Sequence, residues 1–250
     1  MAAEPGGIGS KLGGFYERRY AIEKLLGLVA GRVVRLRWEP RSGEAGGADI
    51  QVERASGVVE HIQLKRQNRA DAEWTIAVLD REHVLRAAAE WLDGGSKRLF
   101  TFVSSDPVPH LKDICDQLRR HSGSAREFVV SRVYSNQVRR ARFEQLLKKW
   151  SFDPDDVNDE TKAIARLRRM RFVLLDRSEE GCDRQLSDVQ RSLTGEPSKT
   201  VSYLKSFLEK RLGQDIRQQD LIEHLRTLGV LPRDLARDPS LPSALFALRN

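Results

Sequence analysis

The segment Glu60-His61-Ile62-Gln63-Leu64-Lys65-Arg66 decides how the rest of the chain is read. Ile62 and Leu64 are spaced for one face of a β-strand. Side chains alternate along a strand, so Gln63 and Lys65 leave together from the other face. Ser56-Gly57 makes a tight connection into this strand, which runs from Val58 to Arg66. Before it, Ala48, Ile50 and Val52 alternate with Asp49, Gln51 and Glu53, and before those Val34, Leu36 and Trp38 alternate with Arg35 and Arg37. Both patterns predict strands, parted by the turn formers Pro40-Arg41-Ser42-Gly43 and Gly46-Gly47. Ahead of all three, Phe15, Ile22, Leu25, Leu26 and Val29 fall on one helical stripe, which predicts an amphipathic helix over 14–30.

Downstream, a polar loop from Gln67 to Glu73 precedes Ile76, Leu79, Val84, Leu85, Ala88 and Trp91, whose spacing predicts a helix over 76–92 closed by Gly94-Gly95. Leu99-Phe100-Thr101-Phe102-Val103 reads as a compact central strand. Pro107 and Pro109 open a further helix to Arg120, and Phe128 to Tyr134 reads as another strand. From Asn136 onward basic helices are expected at 136–149, 160–169, 183–194, 198–212 and 217–228, with one strand from Arg171 to Leu175. The expected class is α/β. A core of helix, three-strand meander, helix and strand spans 14–135, after a flexible lead-in over 1–13 and before a mainly helical region over 136–250. The apolar end, Leu241 to Asn250, is expected to continue into downstream domains.

At 250 residues the chain has room for one large domain or two modest ones. Its 40% apolar and 32% charged residues suit a soluble protein, and no apolar run approaches the roughly 18–20 residues of a membrane span. The Gly- and Ala-rich start lacks the apolar core of a signal peptide. Cys115 and Cys182 belong to no Cys-x-x-Cys pair, which argues against a zinc site or a disulfide framework and suits a reducing cytoplasm. A net charge of +7 favours polyanionic partners such as nucleic acid. The acidic run Asp153 to Glu160 lacks the central glycine of a calcium loop and is expected to cap a helix.

Phosphodiester hydrolysis calls for hard oxygen ligands around Mg²⁺, with Mn²⁺ able to substitute, and for a cation near the attacking water or the developing charge. Asp49 is the expected main ligand, if its strand pairs with the next. Gln63 supplies a side-chain carbonyl, Leu64 a backbone carbonyl, and Lys65 the cation. Glu17, at the edge of the first helix's apolar stripe, is placed to help. Glu39 and Glu53 are expected to be exposed, and His61 to lie near the cleft or in packing. Arg66, Gln67, Asn68 and Arg69 follow the strand directly and are expected to hold the phosphate backbone. A second basic set begins at Arg139, Arg140 and Arg142 and continues through Lys148, Lys149, Arg166, Arg168, Arg169 and Arg171. Trp74 is expected in the core.

The order of elements, with Asp49 on the second strand and Gln63-Leu64-Lys65 on the third, resembles the PD-(D/E)xK restriction-endonuclease-like superfamily in its Mrr-type, Gln-x-Lys branch. Gly13-Gly14-Phe15-Tyr16-Glu17, Gly47-Ala48-Asp49-Ile50 and Ile62-Gln63-Leu64-Lys65 together resemble the N-terminal nuclease domain of bacterial anti-phage effectors. Such a domain precedes a cyclic-oligonucleotide sensor or the nucleotide-binding module of an antiviral STAND NTPase. The resemblance covers about residues 12–135, and Ala48 stands where the superfamily has its name-giving proline. It implies a Mg²⁺-dependent endonuclease acting on double-stranded DNA. Asp49, Gln63 and Lys65 would be catalytic and Glu17 a helper, with activation by homo-oligomerisation. The alternative is a non-catalytic nucleic-acid-binding module on a degenerate nuclease fold, which the amide of Gln63 in place of an acid keeps open.

Overall fold

A computed structural model describes residues 6–39, 48–65, 73–175 and 179–236, leaving aside the side chains of 6–16, 179–181 and 235–236. Among the described residues the fold is mixed α/β. The chain forms two compact units: one gathers 6–39, 49–59 and 179–236, the other 48 and 60–175.

The first unit opens with α1 (Gly6–Val29), β1 (Val33–Trp38) and β2 (Ile50–Arg54). β1 and β2 pair antiparallel with Trp38 opposite Ile50 and Leu36 opposite Val52, so the apolar alternation of the two strands lands on one face. The register slips between Val33 and Arg35, which turns Val34 out to solvent. The turn after β2 closes through Gly57, whose φ of +75° lies in the left-handed region. Ala21, Ile22, Leu25 and Leu28 of α1 are fully buried, under β1 and the later helices of the same unit.

The second unit is built on β3 (Val59–Lys65, from Glu60 on) and the elements that follow it: α2 (Ile76–Arg81), α3 (Val84–Asp93), β4 (Arg98–Ser104), α4 (Pro109–Arg120), α5 (Ala125–Phe128), a π-helical turn over 129–133, α6 (Gln137–Lys149), α7 (Val157–Arg168) and β5 (Met170–Leu174). β4 lies between β3 and β5 and runs parallel to β5, with Phe100 opposite Met170 and Phe102 opposite Phe172. Phe100, Phe102, Phe128 and Phe143 form the bulk of one continuous core with Ile114, Leu146 and Ile164. Trp74 belongs to it, its indole N–H donating to Ser104 Oγ at 2.7 Å and its ring edge-on to Phe102.

The chain then returns to the first unit with α8 (Glu179–Ser192), α9 (Pro197–Lys210), β6 (Asp215–Arg217), α10 (Gln218–Thr227) and α11 (Arg233–Ala236). β6 pairs antiparallel with β1, so the unit's strand order is β2-β1-β6.

Three expectations are corrected. The helix over 76–92 is two helices, because His83 adopts a left-handed φ of 59° between α2 and α3. Phe128 to Tyr134 is helical, not a strand. Ser124 caps α5, and Phe128, Val129 and Val133 are buried while Val130, Ser131 and Arg132 are exposed, a spacing that strand alternation does not produce. The third correction is β6, a strand of three residues where a loop and the start of the helix over 217–228 were expected.

Candidate active site

Glu17 lies on α1, Glu39 directly after β1 and Asp49 directly before β2, all in the first unit. Glu39 holds a left-handed φ of 48°, and its amide donates to the Asp49 carbonyl at 2.7 Å. The backbone thus keeps these two acidic residues side by side. Asp49 is half-buried and sits at the mouth of β2, one residue ahead of the strand proper. Burial pushes the Glu17 carboxyl above the usual carboxylate range, the negative charge of Glu39 adds to the rise, and Arg18 opposes it. Electrostatic crowding of this sort favours a cation nearby. Glu53 is held away from this group. Arg35 Nε donates to its carboxylate at 2.9 Å, and Arg35 and Arg37 also hold Asp215 at 3.2 and 2.8 Å. That network ties β2, β1 and β6 together.

Gln63, Leu64 and Lys65 lie at the end of β3, in the second unit. The strand is buried on both faces from Glu60 to Leu64, and only Lys65 at its end is half-exposed. This corrects the expectation of an open polar face. Glu60 accepts a hydrogen bond from Thr101 Oγ1 on β4. His61 is fully buried against Trp91, ring centres 4.2 Å apart, and neither of its ring nitrogens has a hydrogen-bond partner. Burial drives its pKa down to about 4, with Arg98 adding to the drop, so His61 is a neutral packing residue. Gln63 is 7% exposed, and its Oε1 is buried with no partner. A buried carbonyl oxygen left unsatisfied costs about 1–3 kcal/mol. It is also the kind of hard, neutral oxygen that Mg²⁺ accepts as a ligand, so the side chain fits the expected metal chemistry. Among the described residues no group of three or more His, Cys, Asp or Glu side chains is arranged to hold a metal by itself. Asp49 belongs to the first unit and Gln63 to the second.

Arg66, Gln67 and Arg69, expected to grip the phosphate backbone, lie outside the described residues, as does Asn68. Arg139 lines two neighbouring cavities of about 400 and 210 Å³. Arg142 lines the smaller one, while Arg140 is bound to Glu144 at 2.7 Å and packs over Tyr134. Much of the remaining basic set is engaged within the fold: Lys149 with Asp80, Arg166 with Asp93, Arg168 with the Gly123 carbonyl, and Arg169 with the carbonyls of Leu92 and Gly95. Arg120 and Arg132, which line the larger cavity with Arg139, carry a signal that was hidden by reading Arg132 into a strand. The acidic loop caps α7, Asp156 accepting from the Asn158 amide at 2.8 Å.

No protein-family model matches the sequence, and no curated protein matches it. Among solved structures, the fold is similar to the Acinetobacter baumannii Cap4 SAVED/CARF-domain containing receptor bound to the cyclic trinucleotide 3'3'3'-cAAA (16% identity over 91% of this chain and 45% of the receptor, TM-score 0.51). It is also similar to the Moraxella osloensis Cap4 SAVED/CARF-domain containing receptor (13% identity over 86% of this chain and 47% of the receptor, TM-score 0.52). The chain spans just under half the length of these receptors, and at such identities the likeness is one of fold. No helix among the described residues is long and apolar enough to cross a membrane.

Proposed function

We propose that this chain is the metal-dependent nuclease portion of a larger antiviral defence receptor, cutting double-stranded DNA. The observation that carries the reading is the orphaned, buried Oε1 of Gln63 two residues before Lys65 on β3. Such an atom in a folded protein calls for a partner, and an ion is one that suits a carbonyl oxygen. Asp49 and Gln63, with the Leu64 carbonyl, would hold Mg²⁺, and Glu17 and Glu39 would add negative potential. The bound ion would polarise the scissile phosphoryl group and lower the pKa of the attacking water. Lys65 would orient that water and balance the charge that develops on phosphorus. Homo-oligomerisation would bring two such sites to opposite strands, driven by domains beyond this chain.

The test is cleavage of supercoiled plasmid with Mg²⁺. Wild type is expected to linearise and degrade it, while Lys65→Ala and Asp49→Asn lose activity by at least about a hundredfold, the scale of one removed electrostatic stabiliser. Equal cutting by Lys65→Ala would sink the assignment.

A second reading is favoured by one observation. The similar structures are named for their SAVED/CARF domain, and one holds a cyclic trinucleotide, so this chain would instead be a cyclic-oligonucleotide sensor. Calorimetric titration with cyclic triadenylate separates the two. Saturable binding without plasmid cleavage supports the sensor, and cleavage without such binding supports the nuclease.

A further inference from the structure

We propose that the cleft walled by α4, the π-helical turn and the start of α6 is a docking site for the phosphodiester backbone of duplex DNA, separate from the β3 residues. This rests on the nuclease reading above and names where its substrate is held. The larger cavity, about 400 Å³, is lined by Arg120, Arg132 and Arg139 together with His121, Ser131 and Ser135, and no carboxylate lines it. Its volume falls within the roughly 300–1,000 Å³ of ligand clefts.

The three guanidinium groups are differently prepared. Arg139 is fixed: its Nη2 sits 3.1 Å from Asp113 Oδ2, and its Nη1 donates to the Arg132 carbonyl at 2.6 Å. Its fork is therefore pre-positioned at the floor of the cleft. Arg120 and Arg132 are exposed and make no ion pair with any described residue, so their charge is uncompensated. The first turn of α6 adds the positive end of a helix dipole, with Asn136 accepting from the Arg139 amide at 2.9 Å. The smaller cavity, beyond Arg139, is lined by Arg142 and His110 and also by Asp113, the carboxylate that holds Arg139, so the uncompensated charge lies in the larger one.

The chemistry selects phosphates over bases. Guanidinium and hydroxyl groups dominate the lining, and its one ring, His121, packs tilted against Phe128 with ring centres 5.4 Å apart, so no broad aromatic platform for a base is offered. Such a wall grips the backbone of any sequence, as an effector that destroys DNA without a recognition site requires.

The experiment uses the whole chain in EDTA, where no cleavage intervenes, and a fluorescein-labelled duplex of about two helical turns followed by anisotropy at several salt concentrations. In Arg120→Gln/Arg132→Gln, with a thermal melt matching wild type, Kd is expected to rise about tenfold or more. The slope of log K against log salt should shrink by about 2, one unit for each lost phosphate contact. Arg86→Gln, which removes an exposed cation of α3 paired with Glu90, should bind as wild type does. Unchanged affinity and slope in the double variant overturns the proposal, as does a wild type that fails to bind duplex. Displacement of the duplex by stoichiometric cyclic triadenylate also overturns it, because the cleft would then be a small-ligand pocket. Arginine-dependent binding alongside an inactive plasmid assay keeps this site and rejects the nuclease reading; cleavage with an unaffected double variant does the reverse.

Discussion

At the scale of single residues, Gln63 sets function against stability. Its carbonyl oxygen is buried without a partner, so the fold carries a penalty that an apolar side chain of similar volume would remove. Gln63→Leu is therefore expected to raise the melting temperature measured in EDTA, by about 2–4 °C for each kcal/mol recovered, while abolishing plasmid cleavage. A lower melting temperature would show that the amide has a structural partner and would remove the main support for a metal there. The sequence made Gln63 and Lys65 legible as same-face neighbours, because alternation along a strand depends only on local geometry. It did not reveal that this face is covered. His61 is covered by Trp91, and Glu60 on the opposite face by Thr101, residues some 30–40 positions away. Glu39 is exposed, as its sequence reads, but its left-handed backbone and its amide's hydrogen bond to the Asp49 carbonyl are tertiary facts that no local pattern carries.

At the scale of elements, the strands were the legible part. Alternating Val, Leu and Ile flanked by Gly and Pro placed β1, β2 and β3 to within a few residues, and the Phe-rich run placed β4. The segment 128–134 failed because Phe, Val and Tyr favour strands intrinsically. Here Ser124 and the packing of Phe128 and Val133 into the core override that preference. The correction matters for function, since the π-helical turn is what brings Arg132 to the wall shared with Arg139. α6 supplies the rest of that wall, and Asn136 fixes where it starts. Losing a side-chain cap costs about 1 kcal/mol, so Asn136→Ala should lower the melting temperature by about 2–4 °C, with Asn136→Asp close to wild type. A melt unchanged by the alanine substitution would mean the cap does not anchor α6.

At the scale of the whole molecule, the chain leaves its first compact unit after β2 and returns to it with α8, so each unit is closed by residues distant in sequence. A linear reading divides the chain where composition changes, near Asn136, because basic helices replace strands there. Within the first unit α8, α9 and α10 pack against α1, and within the second β5 pairs with β4 while α6 and α7 pack against α4 and each other. A metal ion that binds the folded chain and not the unfolded one stabilises it by mass action. Mn²⁺ at about a hundred times its Kd should add about 2.7 kcal/mol to the folded state and move the whole melting transition upward. Asp49→Asn and Gln63→Leu should each remove the entire shift, because neither half of the set suffices alone. The measurement is differential scanning calorimetry with Mn²⁺ and with EDTA, repeated in the presence of duplex DNA. A shift that survives either substitution would take that residue out of the metal set, and no shift in any condition would leave the orphaned oxygen of Gln63 without the ligand proposed for it.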